Sequence, residues 1–422
     1  MTKHQVVVIG GGTGGIMIAA QLLKKDPTIN LAIIEPSEKH HYQPAYSLVG
    51  AGAYSLVDTI QDEVKYIPKD AVWIKEYAQE IIPSDNKVVL ASNEEIEYEY
   101  LVVAPGLVDN LSLVEGLEEA LKKDNVCSNY IDSEKTWKAV QAFEGGNALF
   151  TQPTTPLKCP GAPQKAMYMS SDYWINRKKI GDKTNSIFAT NGSIIFGIKE
   201  FRPALENALK EYDITQYYFH NLVKIDSENQ LVYYEVSKTD GAIVNDKNNR
   251  AKREVVSDAP PTVTISYDFL HLAPPQQAPD VVRNSPLVYT EGPNKDWMNV
   301  DKHSMQSPLF FNVFGIGDCI AIPTARTGAA IRKQVPVVVD NILSLMKKGE
   351  IGNMSYTGYS SCPLVLGYGK MLLAEFKYDG IRDSDPLLNT FVDTTKAGWL
   401  MWMLKKTGLP YLYWNMMLKG RM

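Results

Sequence analysis

Four cysteines, Cys127, Cys159, Cys319 and Cys362, are the side chains of this 422-residue chain with most scope for covalent chemistry. Cys159 and Cys362 are each followed directly by proline, in LKCPGAPQK and SSCPLV, which predicts a thiol at the entrance of a turn or helix. Unpaired backbone N–H groups at such a place carry partial positive charge and favour the nucleophilic thiolate. The two stand 203 residues apart, so only the fold can bring them together. Two buried, inert thiols fit these residues equally well, since free cysteine is among the most buried residue types. There is no CxxC pair and no histidine cluster beside any cysteine, which argues against a structural zinc site and a disulfide-stapled secreted scaffold. Of the six histidines none sits in a catalytic pair; His40 and His41 read as solvated loop residues, with proton handling as the alternative, and His220, His271 and His303 suggest no role.

A second constellation is Gly10-Gly11-Gly12-Thr13-Gly14-Gly15, which follows the β-branched residues 5–9 (QVVVI) and precedes IMIAAQLLKK. Strand, glycine turn and helix in that order are a dinucleotide fingerprint. Gly10 permits the tight turn, Gly12 lets backbone approach a pyrophosphate, and Gly15 lets helix and strand pack closely, with the helix N-terminus toward the phosphates. A second strand, LAIIE, ends at Glu35, 25 residues after Gly10, where an acid meets a ribose hydroxyl.

The elements that must position these residues follow from length and pattern. A chain of 422 residues with 45% hydrophobic and 22% charged side chains has room for two or three ordinary globular domains. Its net charge of −5 argues against a nucleic-acid partner. The strand-like run at Gln5 leaves no room for a presequence, so a bacterial cytoplasmic-side product or a processed chain is expected. Residues 147–151 (NALFT) read as a strand that enters QPTTPLKCPGAPQK, where prolines and Cys159 replace phosphate-cradling glycines. Proline has no N–H to present to a pyrophosphate, so a nicotinamide donor is not expected. Residues 193–212 (SIIFGIKEFRPALENALKEY) read as strand, turn and helix, and the polar residues 237–262 as a hairpin tip or surface insertion.

Two further segments, YLVVAPG at 100–106 and NVFGIGD at 312–318, resemble motifs of the glutathione-reductase-like flavoproteins, in which the Gly-Asp carboxylate meets the ribityl chain. Together with IIEPSEKHHYQPAYSLVGAGA, TPLKCPGAPQKAMYMS, SCPLVLGYGKMLLAEF and PYLYWNMMLKG, they resemble the sulfide:quinone oxidoreductase family, in particular the branch that includes the mitochondrial enzyme. The resemblance runs from about residue 4 to the C-terminus.

The resemblance implies an α/β fold of two Rossmann-like domains, an FAD domain with a nested second domain, plus a C-terminal membrane-associating helical tail. The expected units are residues 1–112 with 290–345, residues 113–289, and residues 346–422. Carried over residue by residue, Cys159 and Cys362 match the redox pair, disulfide or sulfur-bridged at rest. Gly10, Gly12, Gly15, Glu35, Ala104, Gly106, Gly317 and Asp318 match FAD positions, Gln43 and Pro44 a turn bordering the isoalloxazine, and Lys370 a position near flavin or quinone. The implied chemistry is attack of hydrosulfide on the disulfide, leaving a persulfide and a thiolate, then two-electron reduction of FAD and delivery to quinone. Glutathione, sulfite or a further sulfide takes the sulfur. Cys362 is the expected attacker of the flavin or bearer of the persulfide. Cys319 is expected to be a packed thiol beside the flavin. Cys127 resembles in placement a third cysteine of other bacterial branches, but the inert reading is preferred.

Residues 396–422 are compositionally distinct, with Lys396, Lys405, Lys406, Lys419 and Arg421 and no acid, so the rest of the chain carries −10. Trp399, Trp402, Tyr411, Tyr413 and Trp414 with these cations suit a segment lying in the lipid headgroup region, as two short helices broken at Gly408 and Pro410. The alternative is a helical pair folded over the core or a contact in a homo-oligomer. Truncation before Lys396 is expected to leave FAD binding intact. A bacterial inner membrane, or a mitochondrial one for a processed chain, is the expected location. The rival readings are a type II NADH:quinone oxidoreductase, a haem-coupled sulfide dehydrogenase and a non-catalytic flavin-binding redox or persulfide sensor.

Overall fold

The computed structural model describes residues 2–155, 157–240 and 242–422. Pro156, in the proline-rich stretch before Cys159, and Gly241, in the polar 237–262 stretch, lie outside the described residues. The β-branched run at the front becomes the strand Thr2–Ile9, with Val6, Val7 and Val8 fully buried. A strand covered on both faces is the environment that a continuous apolar run specifies. It pairs in parallel with Leu31–Ile34 on one side and Glu95–Val103 on the other, placing Val6 opposite Leu31 and Val7 opposite Leu101. These belong to a seven-stranded sheet that Val313–Gly315 joins in parallel beside Glu95–Val103. The helices Thr13–Lys25 and Gly328–Lys348 pack together against it, with Ile16, Met17, Val335 and Val338 in the core.

A second sheet orders Val126–Cys127, Phe269–Leu272, Gly146–Gln152, Thr184–Thr190 and Thr215–Tyr217, all parallel, with Ile243–Val244 as an antiparallel edge. The helix Ala162–Asp172 covers one face, over Phe150, Phe188 and Phe269. The other face meets a four-stranded antiparallel sheet through Val232, Tyr234 and Ile265. The strand expected in SIIFGI is not there. The sheet position is taken by Thr184–Thr190, a nearly wholly buried run ended by the Asn191-Gly192-Ser193 turn, and residues 193–198 follow as irregular chain. The expected helix stands at Arg202–Glu211. The polar insertion contributes the hairpin strand Glu254–Asp258 as well as the sheet edge Ile243–Val244.

Cys362 lies inside the strand Ser360–Gly367, opposite Ala374 of Lys370–Lys377, and not at a turn or helix entrance. The proline after it fits because Ser360–Gly367 is the outer strand of its sheet, where a missing N–H is tolerated.

The tail departs most from expectation. Residues 399–417 form one unbroken run of helical turns, alternating α (Trp399–Met403, Leu409–Leu412) and π (Leu404–Gly408, Tyr413–Met417). Gly408 keeps helical angles of φ −67° and ψ −50°, and Pro410 stands in the first turn of its segment, so neither breaks the run. Tyr413, Trp414, Met417 and Leu418 are buried in the first core, and Met401 and Trp402 in a smaller cluster with Leu48, Met169 and Met371. Gln21 Nε2 donates to the Met422 carbonyl at 2.6 Å. Of the five rings assigned to lipid, Trp402, Tyr413 and Trp414 therefore face inward, because aromatic area contributes more when buried against aromatic neighbours than when left at a surface. Trp399 and Tyr411 remain outside, 62% and 64% exposed. No helix among the described residues is long and apolar enough to cross a membrane.

This packing reverses one expectation. Trp414→Ala should cost about 3 kcal/mol by the usual penalty for truncating a buried aromatic, and truncation before Lys396 should lower the denaturant midpoint and loosen the flavin. An unchanged unfolding midpoint in both proteins would refute the tail's place in the core.

Candidate functional site

The fold brings the two cysteines together from distant elements. Cys159 comes from the loop between Gly146–Gln152 and the helix Ala162–Asp172, Cys362 from the hairpin, and their Sγ atoms are 3.9 Å apart. Gly161 allows this approach, since a Cβ there would collide with Cys362 Sγ. Cys159 lies two residues before the helix N-cap Gly161, and its carbonyl accepts from Ala162 N and, at 2.9 Å, from the Tyr130 hydroxyl. The Cys–Pro–Gly sequence thus places this thiol at a helix entrance, as expected.

Two buried lysines face the pair. Lys165, 4% exposed, sits on the helix with its Nζ 3.3 Å from Cys159 Sγ. Lys405, 2% exposed, comes from the tail and donates to the Pro44 carbonyl at 2.7 Å. The thiols share one proton unequally: the hydrogen bond from Cys362 holds the Cys159 thiol well below the usual range against its own burial, helped by Lys165 and Lys405. Cys362 is pushed up, first by that same bond and then by burial. Burial alone would lower Lys165, but the two sulfurs more than offset it and keep the ammonium. Lys405 is pushed down to about 7 by burial and by Lys165, with the sulfurs opposing. A thiolate at Cys159 is the countercharge this cluster accommodates.

The glycine turn forms a second half-site at the C-terminal ends of the parallel strands, where nucleotides bind in open α/β sheets. Gly10 has φ +99°, and a Cβ at Gly15 would fall on the Gly10 carbonyl, so turn and helix close as tightly as expected. Gly12, the N-cap of Thr13–Lys25, and Gly106 both face open space where a bound group has access. Glu35 accepts from Gly11 N and Ser37 N, each at 2.7 Å, and burial raises its carboxyl. Ala104 packs beneath Gly10, and Gly317 donates its N–H to Gln334. Asp318 is raised by burial, opposed by Lys158 and Arg326. Arg326 is buried with its Nη1 unpartnered, a donor awaiting an acceptor. An open glycine cradle, an acid after the second strand, a second carboxylate and an orphaned guanidinium nitrogen fit FAD.

Gln43 and Pro44 join the halves. Lys158, next to Cys159, donates to Gln43 Oε1 at 2.7 Å, and Pro44 holds Lys405. Lys370 is not brought here: it starts the far end of the hairpin strand and pairs with Glu211 at 2.6 Å on the surface. Lys405 is no headgroup cation, and His40 is no solvated histidine, being 4% exposed between Glu63 and Tyr413. Cys127 and Cys319 are fully buried, each pushed up to about 12 chiefly by desolvation, as befits packed thiols. Lys165 and Tyr130 are not foreseen from the sequence, and Lys405 is foreseen there only as a headgroup cation; Lys165 alone carries a sign of its role, in its place one helical turn past Gly161. No group of three or more metal-ligating side chains occurs among the described residues.

The family model for pyridine nucleotide-disulphide oxidoreductases matches residues 4–148. The chain is 39% identical over 421 residues to the mitochondrial sulfide:quinone oxidoreductase of Mus musculus, spanning 99% of this chain and 87% of that protein. It is 38% identical over 422 residues to the mitochondrial sulfide:quinone oxidoreductase of Dictyostelium discoideum, spanning 99% and 86%. Among solved structures, the sulfide:quinone oxidoreductase from the hyperthermophilic bacterium Aquifex aeolicus superposes with a TM-score of 0.76 over 100% of this chain and 92% of that one. At 21% identity that likeness speaks to the fold.

The charge asymmetry predicts the order of thiol reactivity. In the reduced protein a small alkylating agent should modify Cys159 first and keep doing so at acidic pH, where an ordinary thiol is protonated. Lys165→Met should move that profile to higher pH, because removing the ammonium removes a cause of the lowered Cys159 value. Peptide mapping checks both; preferential labelling of Cys127 or Cys319 in the folded protein would contradict the assignment.

Proposed function

The chain belongs to the sulfide:quinone oxidoreductase family, and from that premise we propose that Cys159 and Cys362 are the pair through which it takes electrons from hydrosulfide. It is an FAD-dependent enzyme that oxidises hydrogen sulfide to sulfane sulfur and passes two electrons to quinone. The observation that carries the residue assignment is the 3.9 Å approach of the two sulfurs beside two buried lysines.

Hydrosulfide attacks Cys362 Sγ of the oxidised pair, and the bond to Cys159 breaks. Cys362 becomes the persulfide and Cys159 leaves as thiolate. The direction follows from the asymmetry, because the sulfur with the lower pKa is the better leaving group. Lys165 and the helix entrance hold the charge that appears on Cys159. An acceptor such as glutathione, sulfite or a second sulfide takes the outer sulfur and leaves Cys362 as a thiol beside the Cys159 thiolate. Two electrons and that proton then leave the pair, and the disulfide is restored. Gly10, Gly12, Gly15, Glu35, Ala104, Gly106, Gly317 and Asp318 would hold FAD, with Gln43 and Pro44 at its border, and the group would supply a two-electron acceptor between the sulfur pair and quinone. Cys159 is taken as the sulfur on the cofactor side, since its neighbour Lys158 reaches Gln43 of the turn assigned to the isoalloxazine. Of the two roles expected for Cys362, attacker of the flavin or bearer of the persulfide, the charge asymmetry of the pair supports the second.

The units proposed are residues 1–112 with 290–345 for FAD, 113–289 for the second domain and 346–422 for the hairpin and tail. We further propose peripheral attachment to a quinone-bearing membrane, the bacterial inner membrane or its mitochondrial equivalent. The support is a patch of exposed apolar side chains on two neighbouring helices, Leu387 and Phe391 on Pro386–Phe391, and Trp399, Leu400 and Tyr411 on the tail. Leu388 and Val392 turn inward onto the cluster that holds Trp402, which ties the two helices together. Large aromatic and aliphatic groups left in water at one place suit a lipid interface.

Two measurements test these readings. Sulfide should bleach the flavin absorbance anaerobically and NADH should not, a soluble quinone should restore it, and Cys159→Ser or Cys362→Ser should each abolish sulfide-dependent turnover; bleaching by NADH or full turnover by either variant refutes the pair. Phe391→Ser combined with Trp399→Ser should weaken binding to liposomes by roughly tenfold or more, from the loss of buried apolar area, and spare the reduction of a soluble quinone. Undiminished liposome binding by that variant would overturn the membrane face.

A further inference from the structure

A buried hydrogen-bonded chain joins the tail to the glycine turn, remote from the sulfur chemistry. Thr13, within the turn itself, has its Oγ1 2.7 Å from the Tyr413 hydroxyl oxygen. That oxygen is 2.6 Å from His40 Nε2, and His40 Nδ1 is 2.9 Å from Glu63 Oε2. His40 and Glu63 are 4% and 1% exposed, and the rings of Tyr66 and Trp414 pack around the imidazole. Both bonds of His40 are buried, and the bond between Tyr413 and Thr13 is part-buried.

The carboxylate fixes the donor at its own end of the chain. An ionised Glu63 only accepts, so His40 Nδ1–H donates to it. The Tyr413 hydroxyl is hydrogen-bonded to His40 Nε2 on one side and to Thr13 Oγ1 on the other, so it links the imidazole to the glycine turn. Thr13 opens the helix Thr13–Lys25, whose first N–H groups are those that face a pyrophosphate at such a turn.

We propose that Tyr413 is a positioning residue for FAD, holding Thr13 and the glycine turn in the shape that the dinucleotide requires. The C-terminal helix is thereby part of the cofactor site and not only a covering of the core. The inference rests on FAD lying at the Gly10–Gly15 turn and adds to it a residue 400 positions away in the chain.

FAD release from the holoenzyme, followed by the rise of flavin fluorescence after dilution, tests it. Tyr413→Phe keeps the ring in its aromatic surroundings and removes only the hydroxyl. It and Thr13→Val should each speed release roughly fivefold to tenfold, the size expected of one hydrogen bond. The double variant should be no faster than either single one, because both remove the same bond. Thr13→Ser, which keeps a hydroxyl, should release FAD as the unaltered protein does. Release unchanged in Tyr413→Phe, even with a lowered melting temperature, overturns the proposal, as does multiplication of the two effects in the double variant. Purified unaltered protein without flavin would instead sink the underlying placement of FAD, a result distinct from either.

Discussion

Two lysine ammoniums buried against a pair of thiols set the terms for much of this molecule. Removing such a charge from water costs several kcal/mol unless partners offset it. Lys165 finds its partner in Cys159, and Lys405 finds the Pro44 carbonyl and the same sulfurs. To assemble that offset the chain must gather a loop of the second sheet, an outer hairpin strand, the Gln43-Pro44 turn and the C-terminal helix at one point. The cluster holds one negative sulfur comfortably and two poorly, which is why the cysteines differ although both precede proline. When no sulfur is charged, Lys405 is the member best able to relax, by releasing its proton.

The first sheet and its glycine turn were legible in the chain because local chemistry and tertiary role coincide there. Val6–Val8 had to be a covered strand, and Gly15 had to meet backbone. The proline-rich loop after Gly146–Gln152 was legible for a negative reason: it lacks the N–H groups that a second nucleotide would need. Cys159 could be placed at a helix entrance from its Pro-Gly context, whereas the same context misplaced Cys362, because an outer strand tolerates proline as readily as a turn does.

The inner face of the tail was misread because composition does not report direction. Lysine and tryptophan rings suit a lipid headgroup layer, and they equally suit a helix whose inner face closes on a polar pocket and an aromatic core. Only partners elsewhere in the chain decide, and those partners, Pro44 for Lys405 and His40 and Thr13 for Tyr413, lie more than 350 residues away. The π turns compound the difficulty, since they shift the face presented at each step and erase the regular period by which an amphipathic helix is recognised. His40 was misjudged on the same ground: nothing near it in sequence foretells a buried carboxylate on one side and a phenol on the other.

Lys405 and Tyr413 stand eight residues apart on one continuous helix, a separation of about 12 Å along its axis. A rod pinned once can swing and spin; a rod pinned at two depths, by an ion at one end and a hydroxyl at the other, can do neither. Trp399 and Tyr411, on the outer side of that rod, are therefore held at a constant bearing relative to the sulfurs. Whatever surface receives those rings meets the molecule at one angle, so the tail acts less as an adhesive strip than as a bracket that sets the orientation of the whole body.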